Sequence, residues 1–204
     1  ENGELDESSD FNPKIDHSAY AISKHFSEME VWRASAEGLN TVIVNPGLII
    51  GSGNWKESSG TLFMEFEKND YTFSGGTSYV DVRDVAQISI ELMEKNIFGE
   101  RFILVSESAK YEEIGNSIRQ KLGKSPMKLL PNVVLKVGFY LNLLFGWLFS
   151  PLKMANKVNV QSVTEFNKIS NKKIKEKLNY EFIPLEESLA FHLENYKKDK
   201  NFNK

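Results

Sequence analysis

The stretch Val42-Ile43-Val44-Asn45-Pro46-Gly47-Leu48-Ile49-Ile50-Gly51 decides the fold class of this 204-residue chain. Its first three residues form an apolar run without polar alternation, which is typical of a strand covered on both faces, as in parallel sheets. Pro46 ends the predicted strand, which spans Leu39 to Asn45, and residues 47–60 are predicted to form a loop rich in Gly and Ser.

A helix is predicted immediately before this strand. Asp16 or Ser18 can cap it, it continues to about Ala36, and Gly38 supplies the left-handed residue that stops it. Ile22, Phe26 and Met29 share one face of this helix. A helix followed by a buried strand predicts an α/β layer architecture.

The rest of the chain continues with short strands and then mostly helices. Val85, Ile88, Leu92 and Met93 form the apolar stripe of a helix that Asp84 can cap. Residues 197–204 are predicted to be disordered. The other predicted strands are 71–73, 79–82 and 101–106, and the other predicted helices are 61–68, 111–122, 132–149, 171–178 and 185–196.

Composition excludes several classes of function. The net charge is −3, so no overall field favours nucleic acid or an anionic membrane, and a small-molecule substrate becomes the default partner. The chain has no Cys, which excludes disulfides and thiolate chemistry and fits a reducing cytoplasm. Its three His are scattered without a nearby carboxylate at ligand spacing, so no metal site is expected. Residues 1–16 are polar and acidic, and are expected to be a loop rather than a signal peptide.

Tyr20-Ala21-Ile22-Ser23-Lys24 is the strongest chemical signal. Residues four apart lie one helical turn from each other, so the Lys24 ammonium can approach the Tyr20 phenol and favour its phenolate. Such a Tyr can protonate a carbonyl oxygen during reduction or deprotonate an alcohol during oxidation. The same spacing also occurs by chance on helices, and a structural pair is the alternative.

Asn45, Pro46 and Gly47 are a second candidate site. Ligands of open α/β sheets bind beyond the carboxyl ends of the strands, and these residues fall there. Gly47 would let a flat ligand approach the backbone. An ordinary exit from strand to loop is the alternative.

Together these features resemble the extended short-chain dehydrogenase/reductase family, also called the NAD-dependent epimerase/dehydratase family. Tyr20 and Lys24 match its Tyr-x-x-x-Lys motif, and the strand ending in Asn45-Pro46 follows at the usual distance. Residues 79–86 resemble a third landmark of the family, and residues 172–178 and 184–189 resemble its carboxyl-terminal helices.

The resemblance implies a Rossmann-like parallel sheet, with a small, mostly helical substrate lobe, in an enzyme that uses NAD or NADP. Tyr20 would be the acid/base, and Lys24 would hold the nicotinamide ribose hydroxyls and stabilise the phenolate. Asn45, Pro46, Gly47, Leu48 and Ile49 would line the cofactor. Residues 1–106 would form the carboxyl-terminal half of the cofactor domain with interleaved lobe segments, and residues 107–204 the lobe.

The chain departs from the family in two respects. The glycine-rich phosphate motif is absent, because Gly51-Ser52-Gly53-Asn54-Trp55-Lys56 has Lys where the third Gly belongs and follows the wrong strand. Ser8 and Ser9 lie too near Tyr20 to supply the family's catalytic hydroxyl. We therefore expect that the amino-terminal half of the cofactor domain lies outside this chain, and that the chain alone is inactive.

Several functions remain open at this stage. Residues 42–51 resemble the dihydroflavonol reductase and 3β-hydroxysteroid dehydrogenase branch, which implies a carbonyl reductase with a small or apolar substrate. A nucleotide-sugar epimerase or dehydratase is the runner-up, and a noncatalytic dinucleotide sensor is the alternative from another class. A membrane-associated or binding module that uses the helix of residues 133–149 is the third hypothesis. The apolar residues 132–149 are expected to form a core or lobe helix rather than a membrane contact, without stable membrane insertion. The oligomeric state is open, a homodimer included.

Overall fold

The computed structural model describes residues 4–145, 147, 148 and 155–202, and contains eight helices and seven strands there. The helices are α1 (Ala19–Ala36), α2 (Leu62–Lys68), α3 (Val82–Glu94), α4 (Tyr111–Lys121), α5 (Asn132–Phe145), α6 (Lys157–Thr164), α7 (Lys172–Leu178) and α8 (Leu185–Phe202). The strands are β1 (Val42–Pro46), β2 (Leu48–Ile50), β3 (Tyr71–Thr72), β4 (Gly76–Asp81), β5 (Glu100–Leu104), β6 (Glu107–Lys110) and β7 (Lys128–Leu129).

The chain divides into two compact units, and each is assembled from three segments. Unit 1 comprises residues 1–51, 78–107 and 168–188, whereas unit 2 comprises residues 52–77, 108–167 and 189–204. The assignment of 1–106 and 107–204 to two domains stays a prediction.

Unit 1 is built on parallel strand pairs. β1 pairs in parallel with β5, from Val42 opposite Glu100 to Pro46 opposite Leu104, and β2 pairs in parallel with β4. The helices α3 and α7 cover this layer with their apolar stripes, which confirms the predicted α/β architecture with a parallel sheet. The buried core consists of Val80, Ile88, Leu92, Phe102, Leu104, Ile174 and Leu178.

Unit 2 is mostly helical, with α2 packed on α4 and the short strands β3 and β7 paired in parallel. Arg119 of α4 is buried at its centre, where its guanidinium donates to the carbonyl oxygens of Asn69 and Ser125 at 2.6 and 2.5 Å. The guanidinium also pairs with the Asp70 carboxylate at 2.8 Å. A buried Arg is stable here because its donors meet backbone and carboxylate acceptors.

The local predictions for α1 are confirmed at both ends. Ser18 is the N-cap, and its Oγ accepts a hydrogen bond from the Ala21 amide at 3.1 Å. The helix ends at Ala36, and Gly38 has a φ of +101°, the left-handed conformation that glycine adopts without strain.

Other local predictions are wrong. Asp81, not Asp84, caps α3, because its side chain accepts from the Arg83 amide while Asp84 already lies inside the first turn. Residues 48–50 form a strand rather than part of a loop, since β4 provides a backbone ladder for them. The tail does not become disordered at residue 197, because α8 continues to Phe202.

Candidate active site

Tyr20 and Lys24 lie in the first and second turns of α1. The Lys24 Nζ is 5.7 Å from the centroid of the Tyr20 ring, so the structure brings the two predicted catalytic side chains together. The Tyr20 side chain is 72% exposed and Lys24 is also exposed. Both side chains are therefore open to solvent.

Asn45, Pro46 and Gly47 lie where β1 ends, as predicted from the parallel sheet. The Gly47 amide donates to the Leu104 carbonyl at 3.0 Å, and a Cβ built on Gly47 would lie 2.4 Å from the Ser78 carbonyl oxygen. Close approach of two backbones therefore requires glycine at this position. This close packing accounts for Gly47 without a ligand.

Leu48 and Ile49 do not form the expected loop. They pair with Tyr79 and Val80 in the β2–β4 ladder, so their backbone is engaged by strand pairing. Their placement directly after Gly47 still puts them next to the carboxyl end of β1.

Glu28 is a site residue that the sequence interpretation missed. It lies one turn after Lys24, and its carboxylate accepts hydrogen bonds from Asn45 Nδ2 at 3.1 Å and from Trp32 Nε1 at 3.2 Å. Arg101 Nη1 donates to it at 2.9 Å. Glu28 thus connects the helix of Tyr20 and Lys24 to the end of β1, and the signal in the sequence was its spacing of four from Lys24.

The partners of Glu28 keep it ionised. Burial raises the pKa of Glu28. The hydrogen bonds from Asn45, Trp32 and Arg101, together with the positive charge of Arg101, lower it by more, so the pKa of Glu28 lies below its usual value. An ionised Glu28 accepts from the Asn45 amide and fixes its orientation at the strand end.

The loop before α1 is attached to β5. The Glu7 carboxylate accepts from the Ile103 amide at 2.8 Å, and the Glu7 carbonyl accepts from the Arg101 guanidinium. Ser8 and Ser9 are held in a local turn with Asp6, where Ser8 Oγ donates to the Asp6 carboxylate and the Ser9 amide donates to the Asp6 carbonyl. That neither serine supplies the catalytic hydroxyl stays a prediction.

The Asp81, Arg83 and Asp84 landmark has a structural role. The Arg83 guanidinium pairs with the Asp81 carboxylate at 2.7 Å. Asp84 is buried and accepts from the Tyr180 hydroxyl at 2.9 Å and the Ile183 amide at 3.1 Å. Burial raises the pKa of Asp84, and burial together with the Asp84 contact raises the pKa of Tyr180. The landmark therefore fastens residues 180–183 to the start of α3.

Among the described residues, no three or more His, Asp or Glu side chains are grouped so that they could hold a metal ion.

Solved structures of NAD-dependent epimerases and dehydratases share this fold. The structure of the protein gox2253 superposes with a TM-score of 0.80 at 21% identity, over 97% of this chain and 61% of that one. A nucleoside-diphosphate-sugar epimerase from Pseudomonas aeruginosa superposes with a TM-score of 0.71 at 16% identity, over 94% of this chain and 59% of that one. A dTDP-glucose 4,6-dehydratase from Bacillus anthracis, solved with NAD, gives 0.66 at 14% identity, over 98% and 60%.

One sequence relative is a sterol demethylase protein B from Methylococcus capsulatus. It is 30% identical over 109 residues, which are 52% of this chain and 32% of the relative. No protein-family model matches the chain. The chain thus spans about a third of this relative and about three fifths of the three structures described above.

The fold is that of a Rossmann-like α/β protein. The resemblance to the extended short-chain dehydrogenase/reductase family, the NAD-dependent epimerases and dehydratases, is confirmed at the level of the fold.

Proposed function

We propose that this chain carries the proton-transfer part of the active site of an NAD-dependent or NADP-dependent oxidoreductase, with Tyr20 as the acid/base. The exposed Tyr20 phenol with the Lys24 ammonium against its ring carries the proposal. The fold shared with NAD-dependent epimerases and dehydratases supports it.

The residues present fit the nicotinamide end of a dinucleotide. Tyr20 and Lys24 offer two exposed hydrogen-bonding groups one turn apart, which suits the hydroxyls of a ribose. Asn45, Pro46, Gly47, Leu48 and Ile49 would line the same end, since ligands of such sheets bind at the carboxyl ends of the strands. The chain contains no glycine-rich motif after a first strand that would hold the pyrophosphate.

When bound, the nicotinamide supplies or accepts the hydride. In the reducing direction Tyr20 would donate its phenol proton to the carbonyl oxygen of the substrate, which becomes the hydroxyl of an alcohol. The Lys24 ammonium stabilises the phenolate left on Tyr20, which then regains a proton from solvent. In the oxidising direction the phenolate of Tyr20 removes the hydroxyl proton.

A carbonyl or alcohol group on a small or apolar substrate is our first candidate. It is supported by the partial likeness to a sterol demethylase protein B, together with the resemblance of residues 42–51 to the steroid and dihydroflavonol branch. A nucleotide sugar is the second candidate, because several structures of similar fold are sugar-nucleotide epimerases and dehydratases.

The test compares Tyr20→Phe with Tyr71→Phe in the intact protein. Tyr71 is a matched control because it is a tyrosine, 55% exposed, that lies in unit 2. Turnover of NADH or NADPH with aldehydes, ketones and sugar nucleotides should fall about 100-fold to 10,000-fold in Tyr20→Phe. Tyr71→Phe should keep the wild-type rate, and cofactor affinity measured by fluorescence titration should be nearly unchanged in both variants. Equal turnover in wild type and Tyr20→Phe would refute the proposal.

A further inference from the structure

The helix α5 presents an apolar face to solvent. We define the α5 surface as Val133, Val134, Val137, Tyr140, Leu143 and Leu144, whose exposed fractions range from 49% to 70%. Trp147 follows the helix and is 79% exposed. The sequence predicts a core or lobe helix over residues 132–149, of which 146 and 149 lie outside the described residues. The core alternative is wrong, because no residue of α5 is buried, whereas α5 does belong to the mostly helical unit 2. Contiguous exposed apolar side chains of this kind mark a contact surface.

The face of α5 that is exposed to solvent is apolar, which is the reverse of the usual pattern of a surface helix. Four half-buried residues recur at helical spacing and form the inward face of α5, which is turned toward the rest of unit 2. They are Leu135, Gly138, Phe139 and Asn142. A Cβ built on Gly138 would lie 3.5 Å from the Ala155 Cβ, so the residues that lead into α6 pack on this inward face of α5. The outward face is thus at least as apolar as the inward one, and Lys136 is the helix's one charged residue.

The stretch of sequence that contains α5 carries charge of a single sign. Residues 114–164 contain no Asp or Glu, although the whole chain has a net charge of −3. Lys128, Lys136 and Lys157 are exposed. The lysines of this stretch are Lys121, Lys124, Lys128, Lys136, Lys153 and Lys157.

We propose that the α5 surface binds an anionic lipid surface, with α5 lying in the plane of the interface. A helix with an exposed apolar face and nearby lysines gains from burying that face at the acyl boundary and from attraction to anionic headgroups. No helix in the described ranges is long and apolar enough to cross a membrane, so α5 rests on the bilayer and does not span it.

Charge and shape favour lipid over two other occupants. In a symmetric pair of copies joined through α5, exposed lysines of one copy would approach those of the other, and like charges oppose such an interface. An apolar small molecule needs a concave site, whereas the outward face of a single helix is convex.

Vesicle flotation of the full protein tests the proposal. Phosphatidylcholine vesicles that contain phosphatidylserine should carry the protein upward, and phosphatidylcholine alone should carry far less. Lys128→Glu with Lys136→Glu should weaken binding at least about twentyfold, since each lysine near the surface contributes about fivefold. Added salt should weaken binding because it screens these charges. Binding to neither vesicle would overturn the proposal, as would equal binding to both.

Two pairs of substitutions distinguish binding through the α5 surface from nonspecific binding by exposed apolar side chains. Leu143→Glu with Leu144→Glu should lower vesicle affinity at least about tenfold by removing apolar burial. Ile90→Glu with Met93→Glu is the control, because both residues are exposed apolar side chains on α3 of unit 1. Unchanged binding by the α5 pair, or equal losses in both pairs, would overturn the proposal.

Two solution measurements complement the flotation experiment. Anionic vesicles should shift tryptophan emission to the blue, and Trp147→Phe should remove that shift. Without lipid, sedimentation velocity should show the same mass for wild type and the α5 pair, whereas an oligomer that the α5 pair dissociates would identify a second copy as the occupant.

Discussion

Replacing Glu28 by Gln should destabilise unit 1 and disturb the end of β1. The Glu28 carboxylate accepts hydrogen bonds from Asn45, Trp32 and Arg101, and its side chain is only 19% exposed. Gln keeps the length of Glu but has one acceptor oxygen instead of two and no charge. In the variant, an N–H group that donates to the Glu28 carboxylate in the wild type would therefore face the NH2 group of the glutamine.

The magnitude follows from the bonds lost. A hydrogen bond to a charged group contributes about 1.5–3 kcal/mol, so Glu28→Gln should lower the free energy of unfolding by about 2 kcal/mol. Glu30→Gln is the matched control on the same helix. Its Arg33 partner and Glu30 itself are 69% and 68% exposed, and such a pair contributes below about 1 kcal/mol.

The effect of Glu28 should depend on pH. Its pKa in the folded protein lies below the ordinary 4.5, so its ionised form binds better in the folded state. The stabilisation is fully present above pH 4.5, and is lost as the pH falls through the lowered pKa. The difference in stability between wild type and Glu28→Gln should therefore shrink in acid.

Urea unfolding followed by circular dichroism, at neutral pH and in an acid series, measures both quantities. A double-mutant cycle of Glu28→Gln and Asn45→Ala should give a coupling of about 1 kcal/mol, because the two side chains share a hydrogen bond. Equal losses in Glu28→Gln and Glu30→Gln, or additivity with Asn45→Ala, would refute the role assigned to Glu28.

Three further substitutions test the packing. Gly47→Ala should lower the free energy of urea unfolding by at least about 1–3 kcal/mol, because its Cβ would lie 2.4 Å from the Ser78 carbonyl oxygen. Gly138→Ala should instead raise the free energy of unfolding by up to about 1 kcal/mol, because Ala has the higher helix propensity. A loss from Gly138→Ala as large as that from Gly47→Ala would contradict this. Arg119→Met should cost about 3 kcal/mol by leaving the carbonyls of Asn69 and Ser125 unpaired, and an unchanged melting temperature would refute it.

Local patterns were sufficient for much of the fold. The cap at Ser18, the stop at Gly38 and the α3 stripe of Ile88 and Leu92 follow from rules that involve only neighbouring residues. Met93, predicted in the same stripe, is instead 58% exposed. The three-residue strand β2 was missed, because strand formation at Leu48 to Ile50 depends on β4, about thirty residues later in the chain.

Burial was less predictable than secondary structure. Val42 to Asn45 are half-buried rather than buried, although their apolar run predicted a strand covered on both faces. On α1 the apolar residues Ile22, Phe26 and Met29 are exposed, whereas His25 stacks on Phe11 and Glu28 turns inward. Which face a helix buries depends on the partners available in three dimensions.

The sequence by itself determined the α/β class and the spacing that places Lys24 one turn from Tyr20, because periodicity and helical geometry are local properties. Only the tertiary structure decided that Glu28 fixes Asn45, that the Ser78 backbone makes Gly47 obligatory, and that α5 turns its apolar face outward. Each of these depends on residues brought together from distant parts of the chain, and no window along the sequence contains them.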